Sequence, residues 1–159
     1  MGNTEGTMMS RREEDVSTKQ EQIARNAKRL PEVSFTSLSY HIDRRWLYEA
    51  YTMVRKDGAT GVDGVTAREY EENLRENLKG LEDRMKSGRY KAPPVRRVYI
   101  PKGKNEKRPI GIPTFEDKVS QKAVAMVLEP LYEQDFYEFS YGFRPGRSQH
   151  MALDRIWKT

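Results

Sequence analysis

Between residues 95 and 113 the chain changes its hydrophobic period, and no other feature constrains the fold as strongly. Val95-Arg96-Arg97-Val98-Tyr99-Ile100 is rich in β-branched and aromatic residues and lies between Pro93-Pro94 and Pro101. Arg108-Pro109-Ile110-Gly111-Ile112 is a second short extended run, stopped by Pro113. The polar stretch 102–107 between them contains Gly103 and Asn105. Two such runs about a polar turn predict a β-hairpin. Pro109 has no N–H to give a ladder, so its strand is an edge or is only partly paired.

Around this unit the periodicity is helical. In 37–56, Ile42, Trp46, Ala50 and Val54 recur every four residues, with Leu38, Leu47 and Tyr51 widening the stripe. Arg55-Lys56 fall in the expected last turn, where cations suit the helix dipole, and Asp57-Gly58 end it. Thr66-Ala67-Arg68-Glu69 has the capping-box pattern and opens a second helix with Tyr70, Leu74, Leu78, Leu81 and Met85 on its buried face. Gly80 is an expected bend in that helix and Gly88 its end. A third helix starts at Thr114 and carries Val119, Ala123, Met126 and Val127 on one face, with Leu131 extending it through Pro130. Ser148 caps a last helix over 149–158. Residues 1–34 are polar, with apolar residues only singly; they predict a disordered start and a weak helix over 15–29, closed by Pro31. The fold class is α+β, helices around one small hairpin.

The charge is unevenly placed. Residues 1–83 carry 13 Lys/Arg against 16 Asp/Glu, whereas residues 84–159 carry 16 against 8. The stretch 89–108 alone has eight basic residues and one acid, Glu106. Such a basic half points to a polyanionic partner, nucleic acid before anionic membrane, with a solvated surface as the alternative. No run approaches the ~18 apolar residues of a membrane span, and the first residues hold no apolar core of a secretory signal. The lack of cysteine removes disulfides, Fe–S clusters, thiolate zinc sites and thiol nucleophiles, and is compatible with a cytoplasmic location.

Standard catalytic constellations are missing. His41 and His150 are the two histidines, and neither has a second ligand at metal spacing. Glu116 and Asp117 are accounted for by a helix N-terminus, and Asp63 by a turn. No Gly-x-Ser-x-Gly elbow occurs. The cations are more informative. Arg96, Arg97, Lys102, Lys104, Lys107 and Arg108 all lie on or beside the hairpin. Arg96 and Arg97 point to opposite faces of their strand. Lys102 closes the first strand and Arg108 opens the second, which predicts that the two lie across from each other at the tip. That arrangement suits a triphosphate or a nucleic-acid backbone; a solubilised strand edge is the alternative. Tyr141, Phe143, Arg144 and Arg147 form a second basic loop, where aromatic faces beside guanidinium groups suit bases and phosphates. Packing on the preceding aromatic segment is the alternative, and for Tyr141 the preferred one.

These blocks together resemble a known family. Val95-Arg96-Arg97-Val98-Tyr99-Ile100-Pro101-Lys102 with Lys107-Arg108-Pro109-Ile110-Gly111-Ile112-Pro113-Thr114 resembles the first block of group II intron reverse transcriptase/maturases. Leu128-Glu129-Pro130 and Ser140-Tyr141-Gly142-Phe143-Arg144-Pro145-Gly146-Arg147-Ser148 resemble the second. Gly58-Ala59-Thr60-Gly61-Val62-Asp63-Gly64-Val65-Thr66 resembles the N-terminal extension block of such enzymes. The resemblance covers roughly 38–159, with the blocks in the family's order.

It implies the fingers subdomain of a right-hand polymerase with an incomplete palm. By motif position, Lys102 and Arg108 would meet the incoming dNTP, and Gly61, Asp63 and Gly64 would lie near template RNA. Arg144 and Arg147 would lie near its backbone or the palm boundary, while Arg96, Arg97, Lys104 and Lys107 would add to the RNA surface. The family's chemistry needs palm aspartates that hold Mg²⁺. This sequence has no Asp-Asp pair and ends at Thr159, and Asp154 lies inside an expected helix. No catalytic or metal-binding residue is therefore expected here. The expectation is an amino-terminal fragment organised as a tail (1–34), a helical extension with the glycine-rich block (35–92) and the start of the reverse transcriptase domain (93–159). Its partners would be RNA, dNTP and a palm and thumb supplied by another chain, with no membrane. The alternatives are a stand-alone RNA-binding module and an inert remnant.

Overall fold

The computed structural model describes residues 15–29, 38–134, 136–138 and 140–158. The start at 1–14 and Pro31 lie outside the described residues. The chain divides into two compact units, Phe35–Met126 and one built from Met1–Ser34 with Val127–Thr159.

In the first unit a 3₁₀ turn, Leu38–His41, precedes α2, Arg44–Met53. The single helix expected over 37–56 is thus two pieces. Asp43 divides them: its carboxylate accepts the Trp46 N–H at 2.9 Å as an N-cap. Val54 is already extended, so Arg55 and Lys56 lie beyond the helix. Lys56 still serves it, because its Nζ donates to the carbonyls of Tyr51 and Val54. The capping box forms as expected, with Thr66 and Glu69 bonded reciprocally at the start of α3, Ala67–Glu72. The break that follows is at Asn73, not Gly80. The Asn77 side chain donates to the Tyr70 carbonyl at 2.9 Å, which satisfies an acceptor at the end of α3 while α4, Leu74–Lys86, begins. Past α4, Gly88 takes φ +70°, its N–H donates to Met85 O, and Arg89 N–H donates to Arg84 O. This is the paired closure that a left-handed residue permits after a helix.

The hairpin follows as β1, Arg96–Lys102, antiparallel to β2, Glu106–Ile112. Helix α5, Phe115–Tyr132, continues through Pro130. The core of this unit gathers Trp46, Leu47, Leu81, Val119 and Met126, each almost fully buried. The Trp46 indole N–H donates to Ala123 O at 2.9 Å, fixing α2 on α5. Phe115 packs edge-on against Tyr51 and, tilted, against Tyr70. Burying an aromatic or leucine side chain of this kind contributes about 1.5–3 kcal/mol.

The second unit contains α1, Val16–Arg29, which buries Val16 and Ile23, and α6, Gln149–Trp157, capped by Ser148 and without a buried residue.

Candidate functional site

The hairpin turn is three residues long, 103–105, and this shortness sets the geometry of the tip. Lys102 pairs with Glu106, Pro101 with Lys107 and Ile100 with Arg108. Lys102 and Arg108 are therefore not directly opposite. The second strand begins at Glu106, two residues before the expected start, so the two cations are diagonal neighbours. They still share a face, because cross-strand partners point the same way and side chains alternate along each strand. At the backbone such diagonal positions are about 7–8 Å apart. This face carries Arg96, Val98, Ile100 and Lys102 from β1 and Glu106, Arg108, Ile110 and Ile112 from β2. The other carries Arg97, Tyr99, Pro101, Lys107 and Pro109.

Lys102, Lys104, Lys107, Arg108 and Arg97 are exposed, and none of their side chains makes a hydrogen bond or ion pair with a described residue. Near the root of the hairpin the faces fill in: Val98, Ile110 and Ile112 are half-buried. Arg96, though exposed, is tied to the glycine-rich block, with its Nε donating to Thr60 O at 2.9 Å.

The glycine-rich block lies against this root. Gly61 is buried, and a Cβ on it would stand 2.6 Å from the backbone of Thr114. Its lack of a side chain is thus accounted for by close approach. Gly64 N–H donates to Gly61 O, and the Asp63 carboxylate accepts the Val65 N–H at 3.1 Å, so Asp63 shapes the turn. Lys118, in the first part of α5, donates to Ala59 O at 2.8 Å. Beside it an open groove of about 500 Å³ is lined by Val54, Arg55, Gly58, Lys118, Gln121 and Lys122. Sequence reasoning did not single this groove out, although Lys118 and Lys122 are one helical turn apart, which is a readable signal of a shared face.

The acids of α5 are held from three directions. Glu116 accepts Tyr70 Oη at 3.0 Å and an ion pair from Arg84. Asp117 accepts Tyr90 Oη at 2.6 Å and Gln121 Nε2 at 2.7 Å, while its N–H donates to Thr114 Oγ1. Burial and the neighbouring carboxylates push the Tyr70 and Tyr90 hydroxyls well above the usual phenol range, so both remain protonated donors. Among the described residues no cluster of three carboxylates or histidines could hold a metal. The adjacent acids Glu116 and Asp117 are already committed to these partners, so this pair does not fit a Mg²⁺ site.

The second basic loop is built differently. Arg144 is 7% exposed; its Nε donates to both Glu133 oxygens, its Nη1 to the carbonyls of Tyr137 and Ser140, and its Nη2 to Glu133. The guanidinium lies 5.1 Å from the Phe136 ring. Its hydrogen bonds and charge hold the Glu133 carboxyl below the usual carboxylate range. Arg147 donates to Glu138 O at 2.9 Å and lies 5.1 Å from the Tyr141 ring. Tyr141 therefore meets a cation within its own loop.

No family model matches the chain. It is similar to the group II intron-encoded protein LtrA of Lactococcus lactis, 38% identical over 138 residues, which is 86% of this chain and 23% of that protein. The chain belongs to the family of group II intron-encoded proteins. Protein YkfC of Escherichia coli is 45% identical over 114 residues, 70% of this chain and 30% of its own length. Nuclear intron maturase 2, mitochondrial, of Arabidopsis thaliana is 46% identical over 39 residues, 24% of this chain and 5% of its own. The chain thus spans less than a third of the length of these relatives. In this intron-encoded family member no helix among the described residues is long and apolar enough to cross a membrane.

Proposed function

We propose that this chain supplies the part of a group II intron-encoded reverse transcriptase/maturase that holds template RNA and the incoming nucleotide, as in the fingers of a right-hand polymerase. The observation that carries this is the hairpin tip, where Lys102 and Arg108 share one exposed face and their side chains make no hydrogen bond or ion pair with a described residue. Glu106 stands between them and leaves the face net cationic. Arg108 offers a two-pronged fork and Lys102 a mobile point charge, which together suit the oxygens of a triphosphate. Arg97, Lys104 and Lys107 extend the positive surface toward RNA, and Gly61, Asp63, Gly64, Arg144 and Arg147 lie in the two other blocks assigned to it. In this reading the chain by itself binds without extending a primer, since its sequence has no Asp-Asp pair. The Mg²⁺ and the palm would come from elsewhere in a complete enzyme.

A second reading, a stand-alone RNA-binding module, is favoured by the Phe35–Met126 unit having its own core around Trp46, Leu81 and Val119. One experiment addresses the feature common to both. Retention of a structured intron-like RNA by the full chain is measured from about 50 to 200 mM salt, where each phosphate contact on a single strand adds roughly 0.7 to the logarithmic slope. Lys102→Ala with Arg108→Ala should lower the affinity and reduce that slope by about 1.4. Absent or salt-independent binding by the unaltered chain defeats both readings. Robust Mg²⁺-dependent primer extension by the chain alone would overturn its catalytic incompleteness.

A further inference from the structure

Three consecutive residues of the glycine-rich block each meet a different part of the hairpin's root. Ala59 O accepts Lys118 Nζ, from the beginning of α5. Thr60 O accepts Arg96 Nε, from the first residue of β1. Gly61 lies against the backbone of Pro113 and Thr114, immediately after β2. The block therefore touches both legs of the hairpin where they enter the body of the unit. Beyond the root, the hairpin is exposed along nearly its whole length, and the half-buried residues are Val98, Ile110 and Ile112.

We infer that residues 59–61 form a clamp that orients the hairpin, and that Arg96 is a positioning residue acting through this clamp instead of a phosphate contact. Arg96 and Lys102 share a face of β1, yet they stand six steps apart along the strand. At about 3.4 Å per residue that is roughly 20 Å, so Arg96 and the tip would not grip the same phosphate group. Arg96 holds a backbone carbonyl by its Nε, and the orientation this imposes carries to the tip through the ladder. A ligand that orders the 59–61 segment would steady the tip by the same route. In its functional arm this inference rests on the nucleic-acid reading of the hairpin; in its structural arm it does not.

The two arms are tested together. The chain has no cysteine, so Asn105→Cys at the tip and Lys79→Cys on α4, both exposed, accept spin labels without competing thiols. The distance distribution between them, read by pulsed electron paramagnetic resonance, should be narrow in the otherwise unaltered chain. It should broaden or shift with Arg96→Ala, and likewise with Gly61→Ala, which changes no charge. RNA affinity should fall about threefold to tenfold with Arg96→Ala, the effect of losing one hydrogen bond, and should fall also with Gly61→Ala, while the salt slope stays the same in both. A slope reduced by about 0.7 in Arg96→Ala would mark a phosphate contact and overturn the inference. So would distance distributions unchanged in both variants. Arg96 is exposed, so its variant keeps the test open if Gly61→Ala fails to fold. Broadening in a chain that binds no RNA at all would remove the proposed function and leave the clamp standing.

Discussion

The hairpin tip and the loop around Arg144 look alike as strings of letters. Each is short, turn-rich and basic, with an aromatic residue close to its cations. Their side chains are used in opposite ways. At the tip, Lys102, Lys104, Lys107 and Arg108 extend from a ladder that is satisfied without them. In the other loop the guanidinium of Arg144 is itself the framework, tying Glu133 to two carbonyls seven and four residues before it. A ladder closes its own backbone bonds and leaves cations available. An irregular loop has buried carbonyls to satisfy, and a long five-donor side chain is the residue type best suited to them. Local charge density therefore gives the sign of a surface, while availability depends on how the backbone beneath it is satisfied.

This comparison can be broken in several places. The largest effect is expected from Arg144→Ala, which leaves the Glu133 carboxylate and the Ser140 carbonyl without the guanidinium and the Tyr137 carbonyl with only the Ser140 N–H. Its melting temperature should fall further than that of any hairpin variant, with the salt slope of RNA binding unaltered. An unchanged melt with a reduced slope would make Arg144 a ligand contact after all. Next in size, Lys102→Ala with Arg108→Ala should stay within about 0.5 kcal/mol of the unaltered stability, as exposed substitutions usually do, while losing RNA affinity. A marked loss of stability there would show that the tip is part of the framework too.

A pH titration separates the two regions further. Arg144 depresses the Glu133 carboxyl below its ordinary value of about 4.3. A depressed folded value means the pairing contributes fully above the unfolded value and is lost as pH falls through the folded one. The side-chain carboxyl signal of Glu133, followed by nuclear magnetic resonance, should have its midpoint below 4.3, and the 133–144 segment should loosen across that range. A midpoint at or above the ordinary value would contradict the pairing. A small loss, confined to stability, is expected from Arg147→Lys. It keeps the charge but weakens the stack on Tyr141, at a cost of about 0.5–1 kcal/mol by thermal melt; a larger loss would place Arg147 with Arg144.

What the sequence made legible follows the same division. Local rules were readable because their partners lie within a few residues. The capping box at Thr66, the Ser148 cap, the closure at Gly88 and the existence of the hairpin are of this kind. So is the Val119, Ala123, Met126 and Val127 stripe, which is buried as its spacing predicts. The break at Asn73 was not readable, because it depends on the Asn77 amide reaching back to Tyr70 O. Nor was the offset of Lys102 from Arg108, which turns on a three-residue loop where a five-residue one was expected. At the candidate site the residue types were legible. The tie of Arg96 to the glycine-rich block was not, because its acceptor at Thr60 is 36 residues away. The burial of Arg144 escaped for the same reason, with Glu133 eleven residues distant.

The β1–β2 ladder also works as a ruler. Its root is pinned and its tip is exposed, so length can be added near the turn without disturbing the rest. One extra residue in each leg would extend the reach by about 3.4 Å but turn Lys102 and Arg108 to the opposite side, since strand side chains alternate. Two in each leg would restore their side and carry them about 7 Å farther out. The depth at which this hairpin can present its charges is therefore adjustable only in even steps.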